Sequence, residues 1–148
     1  MHYLKQDIGY WISRFAAEVR CGFERKLAAY EITGPQWCIL LSLYSKSAGS
    51  ITELAAYIGV DKATISRTVE RLVKMKLMQR SPGHDRRSES LILTPQGDQL
   101  VPKLIACADK NEEEFFNCLS SHEEHELKKI WKKLISNSKH IEREGWLK

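Results

Sequence analysis

The sequence lacks a long hydrophobic run. Its longest unbroken apolar stretch is Trp37–Leu41, far short of the ~20 residues that a membrane-spanning helix needs. The N-terminal segment MHYLKQDIGYWIS contains Lys5 and Asp7, which interrupt the apolar region that a secretory signal requires. We therefore expect a cytoplasmic protein that makes no contact with a membrane.

Cysteine is scarce and unpaired in the sequence. The four cysteines are Cys21, Cys38, Cys107 and Cys118, and none of them forms the C-x2-C pair typical of structural zinc sites. In the cytosol we expect reduced thiols. Oxidation sensing by these cysteines stays open as an alternative, as does a partial metal site at Cys118, His122 and His125, although such a helix-start cluster is more often a solvated cap.

Motifs for enzymatic chemistry are absent as well. The chain has no P-loop, no G-x-S-x-G, no H-E-x-x-H and no paired carboxylates on a buried face. We therefore predict no catalytic residues, no cofactor and no resident metal.

Positive charge is concentrated rather than abundant. The 148 residues include 23 Lys and Arg against 19 Asp and Glu, a net charge of +4. Residues 62–87 carry eight of the basic side chains and only two acidic ones, whereas 111–127 contains six glutamates and no Lys or Arg. Charge separated in this way indicates a face built for a polyanion.

The hydrophobic pattern is mainly helical. Apolar residues recur every three or four positions from Ile8 to Tyr30, which predicts an amphipathic helix of about six turns. Thr33-Gly34-Pro35-Gln36 is a capping box with proline in the first turn, and it predicts that a buried helix follows.

Two short helices come next. We predict that Thr52 caps the first, ELAAYI, which ends at Gly59, and that Asp61 caps the second, KATISRTVERLVKM. Two helices joined by a turn containing glycine indicate a helix-turn-helix. The second helix has an apolar stripe that we expect to face inward: Ile65, Val69, Leu72 and Val73.

A basic hairpin follows the helix-turn-helix. Residues 77–81 and 89–94 read as strands on either side of the polar Pro-Gly turn, whose tip carries Arg86 and Arg87. A helix-turn-helix with such a hairpin is a winged helix. The expected fold class is therefore mainly α with a small β-hairpin wing.

Residues on both sides of the predicted winged helix are not needed to form it. Thr94-Pro95 opens a helix to about Leu119, and Ser121-His122-Glu123-Glu124 is a capping box that opens a last helix. Apolar side chains left over on these long helices indicate a partner chain. We predict a single domain in 1–148, with winged helix-turn-helix 33–94 flanked by long helices in 1–32 and 95–148 that form a homodimer.

The order of these elements resembles the MarR family of transcriptional regulators over nearly the whole chain. The residues that carry it are ITGPQWCILLSL, ITELAAYIGVDKATISRTVERLVKMKLMQR and HDRRSESLILTPQG. The resemblance implies that helix 62–75 enters the major groove of DNA, that Arg87 reaches the minor groove and that Asp85 orients the wing arginines. Lys76 stands where many members have glycine, so we expect it to be left-handed at a cost of about 1 kcal/mol, unless the helix ends differently.

Basic and hydroxyl side chains in the helix-turn-helix and wing are the candidate contacts to double-stranded DNA. Arginine can donate to guanine or clamp phosphates, and side chains near a helix N-terminus suit phosphates and base edges. The predicted DNA-binding residues are Lys62, Thr64, Ser66, Arg67, Arg71, Arg86 and Arg87. A symmetric dimer predicts a pseudo-palindromic site with half-sites about one helical turn apart.

The resemblance also implies a small aromatic effector that relieves repression. Candidate pocket residues near the first two helices are Trp11, Phe15, Trp37 and Tyr44, although aromatic residues at such positions are more often core. Two other function classes remain open: a winged helix that serves as a protein-interaction adaptor, and a redox- or metal-responsive switch.

Overall fold

The computed structural model describes residues 4–82 and 89–145, with side chains in 5–82 and 90–138. The described chain is mainly helical with one hairpin, which confirms the predicted fold class. After a short 3-10 helix (Leu4–Gln6), its elements are α1 (Ile8–Ala28), α2 (Gly34–Tyr44), α3 (Ile51–Ile58), α4 (Lys62–Lys74), β1 (Met78–Pro82), β2 (Glu89–Leu93), α5 (Pro95–Phe116) and α6 (Ser121–Gly145). Among the described residues, none of these helices has the length and apolar character of a membrane span.

The chain separates into two compact units. The first is Met1–Asn111 and the second is Glu112–Lys148. The first unit holds the described hydrophobic core, which α1–α5 and the hairpin build around side chains such as Leu27, Leu40 and Leu72. The second unit contains the end of α5 and all of α6. The predicted division into 1–32, 33–94 and 95–148 stays a prediction.

Capping side chains fix where the helices begin. The Thr33 hydroxyl accepts the Gln36 N–H at 3.4 Å and the Gln36 side chain accepts the Thr33 N–H at 2.9 Å, which confirms the predicted capping box. The predicted cap of α3 is wrong. Ser50, not Thr52, accepts the Glu53 N–H at 3.2 Å, because Ser50 is the residue with an extended backbone (φ −134°, ψ 162°).

The start of α6 is also shifted by one residue from its prediction. The capping box pairs Ser120 with Glu123: the Ser120 N–H donates to the Glu123 carboxylate at 2.8 Å, and the Glu123 N–H donates to the Ser120 hydroxyl at 3.3 Å. Ser121 is the first residue of the helix. The C-terminal ends of two other helices also differ from their predictions. Helix α1 ends two residues earlier than predicted, at Ala28, and α5 ends three residues earlier, at Phe116.

The two strands form an antiparallel hairpin. Met78 pairs with Leu93 at its base and Pro82 with Glu89 at its outer end, so both predicted strands are confirmed to within one residue. The Leu91 N–H also donates to the Gly49 carbonyl at 2.7 Å, which attaches the hairpin to the loop before α3. The predicted wing tip between the strands falls in 83–88, outside the described residues.

A compact joint connects α4, the hairpin and α5. Lys76 has φ 58°, which confirms its predicted left-handed conformation. The Thr94 hydroxyl donates to the Lys76 carbonyl at 2.6 Å, and the Thr94 N–H donates to the Leu77 carbonyl at 3.1 Å. Gly97 lies so close to β1 that an added Cβ would be 2.0 Å from the Leu77 oxygen. We call Lys76, Leu77, Thr94 and Gly97 the α4–α5 joint.

Candidate nucleic-acid interface

Helix α4 is held in the first unit by one apolar face. Gly59 ends α3 in the left-handed conformation (φ 79°), and Asp61 then caps α4 two residues later. The predicted inward stripe is confirmed, because Ile65, Val69 and Leu72 are all buried. With this side in the core, the opposite side of α4 faces solvent.

That solvent face is strongly basic. Lys62, Arg67 and Arg71 are exposed, and Thr64 and Ser66 are half-buried beside them. Over α4 and β1, six basic side chains are exposed against one acidic side chain: Lys62, Arg67, Arg71, Lys74, Lys76 and Arg80 against Glu70. We call the exposed basic side chains of α4, together with Thr64 and Ser66, the basic face.

A chain of hydrogen bonds orders the first turn of the basic face. One Asp61 carboxylate oxygen accepts the Thr64 N–H at 2.9 Å, and the other accepts the Thr64 hydroxyl at 2.7 Å. The Arg67 guanidinium donates through Nη2 to the same hydroxyl at 3.3 Å. The sequence predicts Asp61 only as a cap, and nothing in it signals that Thr64 connects the cap to Arg67.

The electrostatics of this turn agree with its geometry. The hydrogen bond from the Thr64 hydroxyl lowers the pKa of the Asp61 carboxyl, and the Thr64 backbone N–H and the positive charge of Arg67 act in the same direction. Asp61 therefore keeps its negative charge at the helix N-terminus, where the helix dipole favours an anion.

The predicted wing contacts Asp85, Arg86 and Arg87 lie outside the described residues. The described ends of the hairpin, Pro82 and Glu89, face each other in the strand register.

The four predicted pocket aromatics do not share a described cavity. Trp37 packs edge-on against Phe23, with ring centroids 5.7 Å apart, and lines a cavity of about 460 Å³ together with Tyr57. Tyr44 lines a different cavity of about 350 Å³. Trp11 and Phe15 are 54% and 41% exposed on α1.

A third cavity was missed by sequence reasoning. It measures about 450 Å³ and lies between the end of α1, the end of α4 and the start of α5, lined by Tyr30, Glu31, Met75, Leu77, Gln96, Gln99, Leu100 and Lys103. Its residues are far apart in the sequence and follow no motif, so only the packing of the three helices reveals it.

The cysteines occupy different environments. Cys38 is half-buried beside Trp37, and burial raises the pKa of its thiol. Cys21 and Cys118 are exposed, and Cys107 is half-buried. In the part of the chain that the structure describes, no group of three or more His, Cys, Asp or Glu side chains is placed to hold a metal ion. Oxidation sensing by these cysteines stays an untested alternative.

The winged helix and its basic face match a known family. The sequence model of the MarR family matches residues 32–88, which span α2 to the wing. Over these residues the chain matches the MarR family. The chain also resembles curated regulators along most of its length: the transcriptional repressor NicR of Pseudomonas putida is 28% identical over 133 residues, 89% of this chain and 84% of NicR.

Solved structures share the fold of this chain. BpsR of Bordetella bronchiseptica, whose DNA binding is regulated by 6-hydroxynicotinic acid, is similar with a TM-score of 0.80 and 25% identity, covering 90% of this chain and 98% of BpsR. MepR of S. aureus in complex with DNA has a TM-score of 0.81 and 24% identity, covering 88% of this chain and 98% of MepR. The similarity to MepR shows that the two chains share a fold.

Proposed function

We propose that this chain is a MarR-family transcriptional regulator that binds a specific double-stranded DNA site as a homodimer and represses transcription. The observation that carries the proposal is α4, which buries one apolar face in the core and presents a basic face beside a hairpin. Its relatives include the repressor NicR. The chain acts on DNA in the cytoplasm and has no catalytic role.

The basic face supplies the contacts to the major groove. Arg67 and Arg71 have the donors for guanine or for phosphates, while Lys62 and Ser66 sit in the first two turns, where a helix contacts the backbone of DNA. Arg86 and Arg87 at the wing tip enter the neighbouring minor groove, where negative potential is high, and Asp85 orients them.

Two apolar stripes support a homodimer. On α1, Ile8 is 76% exposed and Trp11 54%; on α6, Ile130 is 51% exposed and Ile135 56%. Large apolar side chains in rows on long helices are unfavourable in water and are typical of a subunit interface. A two-fold dimer places two α4 helices on a pseudo-palindromic site, with half-sites about one helical turn apart.

A small aromatic effector relieves the repression. The relative BpsR is regulated by a hydroxynicotinic acid, and Trp11, Phe15, Trp37 and Tyr44 remain the predicted residues for such a ligand. An effector can release DNA only if it binds the DNA-free arrangement of the dimer more tightly than the DNA-bound one.

Selection of bound duplexes from a random DNA pool tests this function. We expect a symmetric site whose log affinity falls against log salt with a slope of about −0.9 per phosphate neutralised. If no duplex is selected and binding has only a shallow salt dependence, the regulator assignment is wrong and the adaptor alternative is favoured.

The substitution Arg87→Ala tests the wing on the selected site. We expect lower affinity with an unchanged melting temperature, because Arg87 is assigned to DNA and not to the core. Arg25→Ala on α1 is the matched control, since it removes the same charge from an exposed position outside the winged helix, and it should leave affinity intact. Equal affinities of the two variants would contradict the wing assignment.

A further inference from the structure

The hydroxyl of Thr64 lies between a carboxylate and a guanidinium. It donates to Asp61 at 2.7 Å and accepts from Arg67 at 3.3 Å. We propose that Thr64 is a positioning residue, which holds the Arg67 guanidinium in an orientation for reading a guanine instead of a phosphate. This inference rests on the proposed DNA-binding function and adds to it a determinant of sequence specificity.

The direction of the hydrogen bonds is fixed by chemistry. An ionised carboxylate can only accept, so the single Thr64 proton must point to Asp61. The oxygen of Thr64 then presents its lone pairs away from Asp61, where Arg67, which can only donate, meets them. Each bond polarises the next, so the chain Asp61–Thr64–Arg67 is stronger than the same bonds formed separately.

The backbone N–H of Thr64 is not free to bind a phosphate. A helix N-terminus usually attracts anions through its free N–H groups, but here the Asp61 carboxylate already accepts the Thr64 N–H. Arg67 lies in the second turn of α4. Its hydrogen bond to the Thr64 hydroxyl holds the guanidinium toward this cap.

The tether leaves Arg67 able to read a base. A guanidinium has five N–H donors, and the bond to Thr64 uses one of them, so a pair remains for O6 and N7 of guanine. A free arginine loses much rotamer freedom when it binds. The hydrogen bond to Thr64 already restricts the Arg67 side chain in the unbound protein, so part of this entropy loss does not recur on binding. The saving applies only to the orientation that the hydrogen bond holds, and it therefore favours the base that this orientation reaches.

Thr64→Val tests the role of the hydroxyl while conserving size and branching. The assay compares affinity for the selected duplex, for duplexes with single guanine substitutions and for a random duplex at fixed salt. We expect the discrimination at one guanine of each half-site to fall roughly threefold to tenfold. Discrimination is a ratio of affinities, so a uniform change in DNA binding would leave it unchanged.

Two variants separate positioning from structure. Thr64→Ser keeps the hydroxyl and should restore discrimination. Thr68→Val removes a hydroxyl one turn later, where it donates to the Thr64 carbonyl and not to Arg67, and it should leave discrimination at that guanine as in the wild type. A loss shared by Thr64→Val and Thr68→Val would overturn the proposal, since both changes would then act through the helix.

A double-mutant cycle with Arg67→Ala decides whether Thr64 acts through Arg67. In the Arg67→Ala background we expect Thr64→Val to have no further effect on discrimination; independent, additive losses would overturn the proposal. If the wild type selects no duplex, the proposed function itself fails and this inference falls with it. If the wild type selects a site and Thr64→Val retains full discrimination, only the positioning role fails.

Discussion

Gly97→Ala should destabilise the protein, because Gly97 is the tightest contact in the α4–α5 joint. An alanine Cβ would lie 2.0 Å from the Leu77 oxygen and 3.1 Å from the Leu77 carbon, both of which belong to backbone that cannot rotate away. The start of α5 must therefore move from β1 by an ångström or more. That movement strains the two hydrogen bonds that Thr94 makes to Lys76 and Leu77.

The expected loss follows from these contacts. Overpacking a well-packed site costs about 1–3 kcal/mol, and each weakened hydrogen bond adds up to about 1 kcal/mol. The better helix propensity of alanine returns at most about 1 kcal/mol. The free energy of unfolding should therefore fall by roughly 2–4 kcal/mol, and the melting temperature by roughly 5–15 °C for a chain of this length.

Thermal and urea unfolding at matched protein concentration measure this loss. Concentration must be matched because the stability of a dimer depends on it. Gly9→Ala is the control: Gly9 is the second residue of α1, and a Cβ there meets nothing within 4 Å. We expect Gly9→Ala to be neutral or to stabilise by less than about 1 kcal/mol.

The comparison can refute the reasoning in one step. If Gly97→Ala unfolds at the same urea concentration as Gly9→Ala, the close approach of α5 to Leu77 is not required for the native fold. A loss of DNA affinity without a loss of stability would show instead that the joint serves the interface alone.

Two further predictions concern buried groups. Asn111 is 4% exposed, and its side chain accepts a hydrogen bond from Lys26 at 3.2 Å and donates one to the Val19 carbonyl at 3.1 Å. Asn111→Ala should therefore lower the free energy of unfolding by about 1–3 kcal/mol. An unchanged midpoint of urea unfolding would contradict this prediction. Cys38 should react with iodoacetamide more slowly than the exposed Cys21 and Cys118, because burial raises the pKa of its thiol and only the thiolate reacts. For the same reason its reaction rate should rise at a higher pH than that of an exposed thiol. Equal labelling rates of the three cysteines in peptide mass spectrometry would refute this prediction.

Local patterns predicted most of the fold because they depend on neighbouring residues. The capping box at Thr33 and the inward stripe of α4 follow from spacing and from simple steric rules. The left-handed Lys76 is one of the two alternatives that the family resemblance implied. The cap of α3 was mispredicted because Ser50 and Thr52 are both good caps, two positions apart. The backbone selects Ser50, and that backbone depends on Gly49, which is hydrogen-bonded to Leu91 far along the chain.

The arrangement of the site could be predicted only in part. Periodicity places Thr64, Arg67 and Arg71 on the solvent side of α4, but it gives no rotamer for an arginine. The link from Thr64 to Arg67 therefore required the structure. The contact of Asn111 with Lys26 joins residues 85 positions apart, and it depends on how α1 packs against α5, for which the sequence carries no local signal.

The α4–α5 joint connects α5 to both α4 and the hairpin. One residue, Thr94, separates β2 from α5, and its bonds to Lys76 and Leu77 attach that residue to the turn between α4 and β1. The start of α5 is therefore coupled to both elements through short backbone connections, with no long linker between them. If α4 and the hairpin bind DNA as proposed, a change at the start of α5 would affect both contacts together.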